Sequence, residues 1–140
     1  MLRFLLPAAL ALIPSLASAQ AQYIPGRWRC ILNSVPATVD VIVDMAPDFT
    51  AYAEGTWILN QGPGMNGPQI REIRAPGRWA FGPLPGMPSQ QGLHLQLVPN
   101  NVPSFTLYPA WIGDPGALRT YVPDGAYPGA MLEYACQRLR

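Results

Sequence analysis

The amino-acid sequence predicts an all-β domain, a small antiparallel up-and-down β-barrel of about eight strands closed by a disulfide between its first and last strands. Three observations predict it. Apolar and polar residues alternate with period two in several short runs, as a half-buried strand requires. Seventeen prolines and 13 glycines in 140 residues interrupt almost every window long enough to test for a helical period. The only two cysteines, Cys30 and Cys136, stand near the start of the exported part of the chain and near its end.

The elements follow in order. Arg3 precedes an apolar run over 4–16, broken by Pro7 and Pro14 and followed by the small triplet Ala17-Ser18-Ala19. That pattern predicts a secretory signal peptide over 1–19 and leaves 20–140 as a single β-barrel domain. The run is too short and too broken to span a bilayer, and no later stretch approaches the roughly 18 apolar residues that a spanning helix needs. No integral membrane segment is therefore expected after signal removal, and the expected location is periplasmic or secreted.

Alternation is plainest at Val39, Val41 and Val43 against Thr38, Asp40 and Ile42, and at Leu93, Leu95 and Leu97 against His94, Gln96 and Val98. Extending it predicts strands near 27–32, 37–43, 49–59, 70–73, 77–81, 93–98, 104–110 and 131–139, with 118–122 as a further candidate. Between them lie Met45-Ala46-Pro47-Asp48, a Gly/Pro-rich stretch over 61–68, the stretch 82–92, and Gly113-Asp114-Pro115-Gly116, all of turn or loop chemistry. The spacing leaves no room for crossover helices, so the pairing is antiparallel.

The cysteines then constrain the architecture. In an oxidising compartment Cys30 and Cys136 have only each other, and a bridge needs their Cα atoms within about 7 Å. First and last strands must be neighbours, which in a meander amounts to barrel closure; a sandwich whose terminal strands pair is the competing geometry. A loop of about 100 residues closed in this way stabilises by roughly 4.7 kcal/mol on the chain-entropy argument.

Charge and composition exclude several functions. The chain carries nine Arg+Lys against eight Asp+Glu, and the leader takes Arg3 with it, leaving the exported part neutral. No nucleic-acid partner is implied. There is no lysine, so Schiff-base and P-loop chemistry lack their residue. The single His94 lies on the polar parity of a strand, and neither it nor the two cysteines can complete a zinc site. Asp40, Asp44 and Asp48 fall on a strand face and a turn without the ligand-dense loop that calcium needs. Neither catalytic residues, metal ligands nor cofactors are predicted, and the expectation is that the protein is no enzyme. Of the basic residues, Arg71, Arg74 and Arg78 form the one local cluster, Arg74 and Arg78 sharing a face, and Glu54 is a pair-mate for an arginine.

One pattern appears three times: Gly26-Arg27-Trp28, Gly55-Thr56-Trp57 and Gly77-Arg78-Trp79. Glycine relieves crowding at a strand start or bend, and the tryptophan two residues on offers a large apolar area and an N–H for a terminal carbonyl. With Ala46-Pro47-Asp48-Phe49-Thr50-Ala51-Tyr52 between the first two copies and an arginine near the last strand, the sequence resembles the small barrels of the lipocalin-like, or calycin, group. It also looks like the bacterial metalloprotease inhibitors. It departs from those in joining its two ends by the disulfide and in having only the short segment 20–25 as an inhibitory arm.

The resemblance implies an exported, non-catalytic barrel that binds a small apolar or amphipathic ligand. Trp28, Trp57, Trp79, Trp111 and Tyr108 are the candidate ligand-binding residues, and Cys30 and Cys136 the disulfide. The alternative is a protein-interaction module of the cell envelope, or an inhibitor of an exported protease, that docks through the loops over 62–68 and 82–92 with Met65 and Met87 as adaptable contacts.

Overall fold

The computed structural model describes residues 22–34, 37–59, 67–109, 116–123 and 129–140. Among these the chain forms eight antiparallel strands and no helix: β1 (Gly26–Asn33), β2 (Ala37–Met45), β3 (Thr50–Leu59), β4 (Gln69–Leu84), β5 (Met87–Leu97), β6 (Phe105–Leu107), β7 (Ala117–Pro123) and β8 (Met131–Arg138). They make one sheet in the order β6-β5-β4-β3-β2-β1-β8-β7, curled into a half-barrel. That is the cyclic order of an eight-strand meander, interrupted between β6 and β7.

The pairing demanded by the cysteines is present. Cys30 lies directly opposite Cys136 in the β1/β8 register, with Cα atoms 4.1 Å apart and the sulfurs bonded. The sheet therefore continues through the first and last strands, and its edges fall at β6 and β7, which do not pair with each other among the described residues. The short β6 accounts for part of this. A strand is expected over 104–110, but Pro103 and Pro109 bracket the segment and offer no N–H, so the strand itself is only Phe105–Leu107, with Pro109 O still accepting from Leu93 N of β5 at 2.9 Å.

Two other expectations are corrected. The segments 70–73 and 77–81 are one 16-residue strand rather than two. Pro76 is tolerated inside it because its carbonyl accepts from Val98 N at 2.9 Å, so the edge lacking an N–H faces β5 where β5 ends. The stretch 82–92 is no loop: Gly82 pairs with Gly92 and Pro83 with Gln91, and the chain turns at Gly86, whose φ of 71° suits glycine. The predicted leader over 1–19, Trp111, Met65 and residues 61–66 and 113–115 lie outside the described residues.

Period-two patterning places Trp28, Cys30, Val39, Val41, Val43, Ala53, Ile73, Ala75, Leu93, Leu95 and Leu97 inside the curl, all buried. Their burial supplies the main driving force for the fold, at roughly 1.5–3 kcal/mol for each large side chain. The glycines of the Gly-x-Trp pattern let the strands approach. A Cβ at Gly55 would overlap the Asp40 carbonyl, and one at Gly77 would overlap that of Gln96.

Every described strand carboxylate (Asp40, Asp44, Glu54, Glu72 and Glu133) stands on the outward parity. Cross-strand ion pairs tie Arg29 to Asp40 at 2.6 Å, Arg27 to Asp44 at 3.5 Å, Arg119 to Glu133 at 3.8 Å and Arg74 to Glu54 at 3.9 Å. Exposed pairs of this kind contribute little stability. They do neutralise the outer face, and Glu54 has the arginine partner the sequence suggested.

The candidate ligand-binding interior

The three tryptophans of the repeated pattern reach the interior, but at two different ends. Trp28 is completely buried and its indole Nε1 donates to Ile24 O at 2.7 Å. Trp79, 2% exposed, donates from Nε1 to Ala46 O at 2.9 Å. Both indoles thus cap backbone carbonyls at the end where β1 begins and β2 turns into β3. Trp57 lies near the far end of β3, partly buried and packed against the core.

At the first end the chain supplies its own plug. Ile24 is fully buried, although the segment 20–25 was expected only as an arm. Arg138, cross-strand from Trp28, holds the plug in place. Its guanidinium lies 4.3 Å over the Trp28 ring, donates from Nη1 to Pro25 O at 3.1 Å, and donates from Nη2 to Tyr23 O. A cation over an indole face that also bonds two carbonyls is satisfied without any acid.

The β2–β3 turn completes this end. Asp48 Oδ1 accepts from Thr50 N at 3.1 Å and from Thr50 Oγ1 at 2.6 Å. Those bonds, led by the one from the Thr50 side chain, hold the Asp48 carboxyl below its ordinary value. The turn puts Phe49 at φ 67°, unfavourable for a residue with a Cβ, and its ring packs on Trp79 with centroids 4.7 Å apart.

At the second end Trp57 is cross-strand from both Val39 and Arg71. Arg71 stands on the inward parity of β4, two residues from the buried Ile73, and is exposed. Among the described residues no carboxylate lies within ion-pair distance of it. Leu32, Leu59 and Leu132, inward-facing at this end, are half-buried where their counterparts at the other end are fully buried.

Tyr108 is neither at a mouth nor free. It follows β6, where its ring meets His94 edge-on at 5.0 Å and Tyr134 at 5.8 Å, joining β5 to β8 across the interruption in the sheet. His94 bonds Pro83 O through Nε2 at 2.8 Å. The arginine cluster comes apart: Arg74 is paired outside, Arg78 stands outside over the shallow hollows beside Phe49 and Val98, and Arg71 turns inward. Met87, partly buried, packs against the core. The largest hollow described, about 400 Å³, lies outside on β1, β8 and β7, and its two arginines are already paired with Asp40 and Glu133.

Of the candidates, then, Trp28 and Trp79 are brought together as structural caps, Trp57 stands apart from them, and Tyr108 is a bridge. Arg138 and Ile24 are not found by sequence reasoning as residues of the first end, nor is the inward parity of the exposed Arg71, although the period-two phase of 71 against the apolar 73 and 75 carries the signal for it.

The class that fold and interior define is an all-β, disulfide-linked, curled antiparallel sheet in up-and-down barrel order. No family model, no curated protein and no solved structure matches the chain.

Proposed function

We propose that the protein is an exported, non-catalytic binding protein of lipocalin-like build, with a small apolar or amphipathic ligand held at the Trp57 end of its interior. One observation carries this reading. The interior is apolar at both ends; at one the chain packs its own Ile24 and caps it with two tryptophan N–H groups, and at the other Leu32, Trp57, Leu59 and Leu132 are only partly buried among the described residues. Partly buried apolar side chains gathered at one end of a curled sheet are the ordinary material of a ligand site. Trp28 and Trp79 support that site from behind and do not line it.

Export to the periplasm or the medium is supported by the leader-like N-terminus and by the disulfide, which persists only where thiols are not kept reduced. Among the described residues no helix is long and apolar enough to cross a membrane.

Native mass spectrometry of the protein purified gently from its host, before and after denaturation, tests the reading. A small molecule bound in the native spectrum and released on unfolding is the expected result. A bare mass in both spectra, together with no change of tryptophan emission across a panel of apolar probes, would overturn it.

A further inference from the structure

We infer that the outer face of β3, β4 and β5 around Arg78 is a docking surface for an extended protein segment that carries one carboxylate side chain, with an apolar side chain two residues away on either side of it. The surface is separate from the interior and does not depend on the ligand reading above.

The outward positions of β4 set its geometry. Pro76, Arg78 and Ala80 are exposed, out of phase with the buried Ile73, Ala75 and Trp79. Arg78 stands opposite Thr50 of β3 on one side and Gln96 of β5 on the other. Along the strand a hollow lies to each side of it, about 290 Å³ against Pro76 and Val98 and about 300 Å³ against Ala80 and Phe49, and Arg78 and Gln96 border both. The rims are apolar: Phe49, Val98 and Tyr52, the last opposite Pro76, are 49%, 48% and 43% exposed. Aromatic and aliphatic surface gathered around one arginine is the composition of an interface centre.

Phe49 adds a second observation. It is the one described residue other than glycine with positive φ. Trp79 N donates to Phe49 O at 3.0 Å, and the bonds from Thr50 to Asp48 fix the turn, so an exposed ring is held on the rim by a backbone that would suit glycine better. Strain retained at an exposed aromatic preorganises it for contact.

Charge selects the occupant. Elsewhere on the outer sheet Arg27, Arg29, Arg74 and Arg119 each pair with an acid on a neighbouring strand. Arg78 has no carboxylate within ion-pair distance among the described residues, and Asp48, which feels its charge, is engaged by Thr50. Gly116 and Pro123, the nearest described neighbours of the two remaining acids Asp114 and Asp124, lie at Arg138 of β8 and against Gly86 at the tip of the β4–β5 hairpin. The group that matches a planar guanidinium flanked by apolar surface is a carboxylate. A second copy stacked on this face about a two-fold axis would instead bring like arginines together. The spacing sets the rest: Pro76 and Ala80 are roughly 13 Å apart at the rise of a strand, and an extended segment puts alternate side chains on one face, so its residues i and i+4 reach the two hollows when i+2 meets Arg78.

The test is an NMR titration of the isotope-labelled, oxidised protein with the end-blocked peptide Ser-Gly-Leu-Ser-Glu-Ser-Leu-Gly-Ser, with its Glu-to-Gln form, and with a form in which serine replaces both leucines. The Glu peptide is expected to give saturable shifts at the amides of Thr50, Arg78, Gln96 and Val98, to bind roughly fivefold more tightly than the Gln form, and to lose binding without its leucines. Arg78→Gln should bring the Glu peptide down to the level of the Gln form. Phe49→Gly, which the turn accepts, should weaken both peptides while the amide spectrum stays that of the folded protein. Equal binding of the Glu and Gln forms, shifts confined to other parts of the sheet, or no shifts at millimolar peptide would overturn the inference. Shifts of these four amides with protein concentration alone would assign the face to a second copy and overturn it as well.

Discussion

The two ends of the curled sheet are built from the same parts and finished differently. At one end Arg138 stacks on Trp28 across β1 and β8, and the chain that enters β1 folds back so that its carbonyls accept from both side chains. At the other, Trp57 stands opposite Arg71 in the β3/β4 register, and the inward apolar side chains around them are only partly buried. The same motif is engaged by the protein's own entering chain at the first end, and at the second it is the place to which the binding reading assigns a ligand. What a Gly-x-Trp copy does is decided by which piece of chain lies against it, a fact of tertiary structure and not of the motif.

The largest expected effect that separates the ends is on stability. Trp28→Ala removes a fully buried indole, the bond to Ile24 O and the surface under Arg138, and should cost about 3–5 kcal/mol. Trp57→Ala, at a half-buried position, should cost less than half as much. Urea unfolding of both variants with the disulfide intact measures this, and equal losses would break the distinction between the ends.

Next in size is the disulfide, which ties β1 to β8 beneath the Trp28 and Arg138 pair. Replacing both Cys30 and Cys136 by alanine should lower stability by about 2–5 kcal/mol, because 106 residues of sequence separation are no longer held in the unfolded chain. The loss should fall first on the plugged end. Hydrogen exchange at Trp28 and Arg29 should rise before exchange at Trp57 in the double variant, and the reverse order would show that the bridge does not anchor the plug.

A third comparison sets the arginines against each other. Arg138→Gln gives up the stacking on Trp28 and charge-assisted bonds to Tyr23 and Pro25 and should cost about 1.5–3 kcal/mol. Arg71→Gln should stay within about 0.5 kcal/mol of the wild type, as an exposed side chain without an ion partner does. Thermal unfolding of the two variants decides it, and a large loss for Arg71→Gln would assign that residue to stability.

Most of the strand content was legible in the sequence because alternation is a local property: the valines of β2 and the leucines of β5 mark their inward face without any knowledge of neighbours. The β1/β8 pairing was legible too, since two cysteines leave a single bridge. What stayed hidden was non-local. Ala75 and Pro76 look like a break between strands until β5 is known to end opposite Pro76. The hairpin over 82–92 has loop composition, and its register comes from Gly82 facing Gly92. In the interior, the tryptophans were found by type, but sorting Trp28 and Trp79 from Trp57 required the carbonyls of Ile24 and Ala46, which no spacing rule locates. Arg71 was seen as one of a charged trio because its neighbours along the chain are charged; the phase of β4 separates it from them.

The smallest effect concerns the turn that closes the plugged end. Asp48 is held below its ordinary value by the bonds it accepts from the Thr50 hydroxyl and amide. A carboxyl lowered on folding contributes stability that is present above its unfolded value and is lost as pH falls through the folded one. The β2–β3 turn should therefore be fully formed at neutral pH and loosen only under acid conditions below the usual aspartate range. Because Phe49 sits in this turn and packs on Trp79, the loosening should appear in the emission of Trp79 while that of Trp57 is unchanged. Single-tryptophan variants titrated from pH 7 to pH 2, with Asp48→Asn as the control that removes the transition, measure it. A transition of equal size at Trp57 would mean that acid acts on the sheet as a whole and that the turn is not an independent lock on the plugged end.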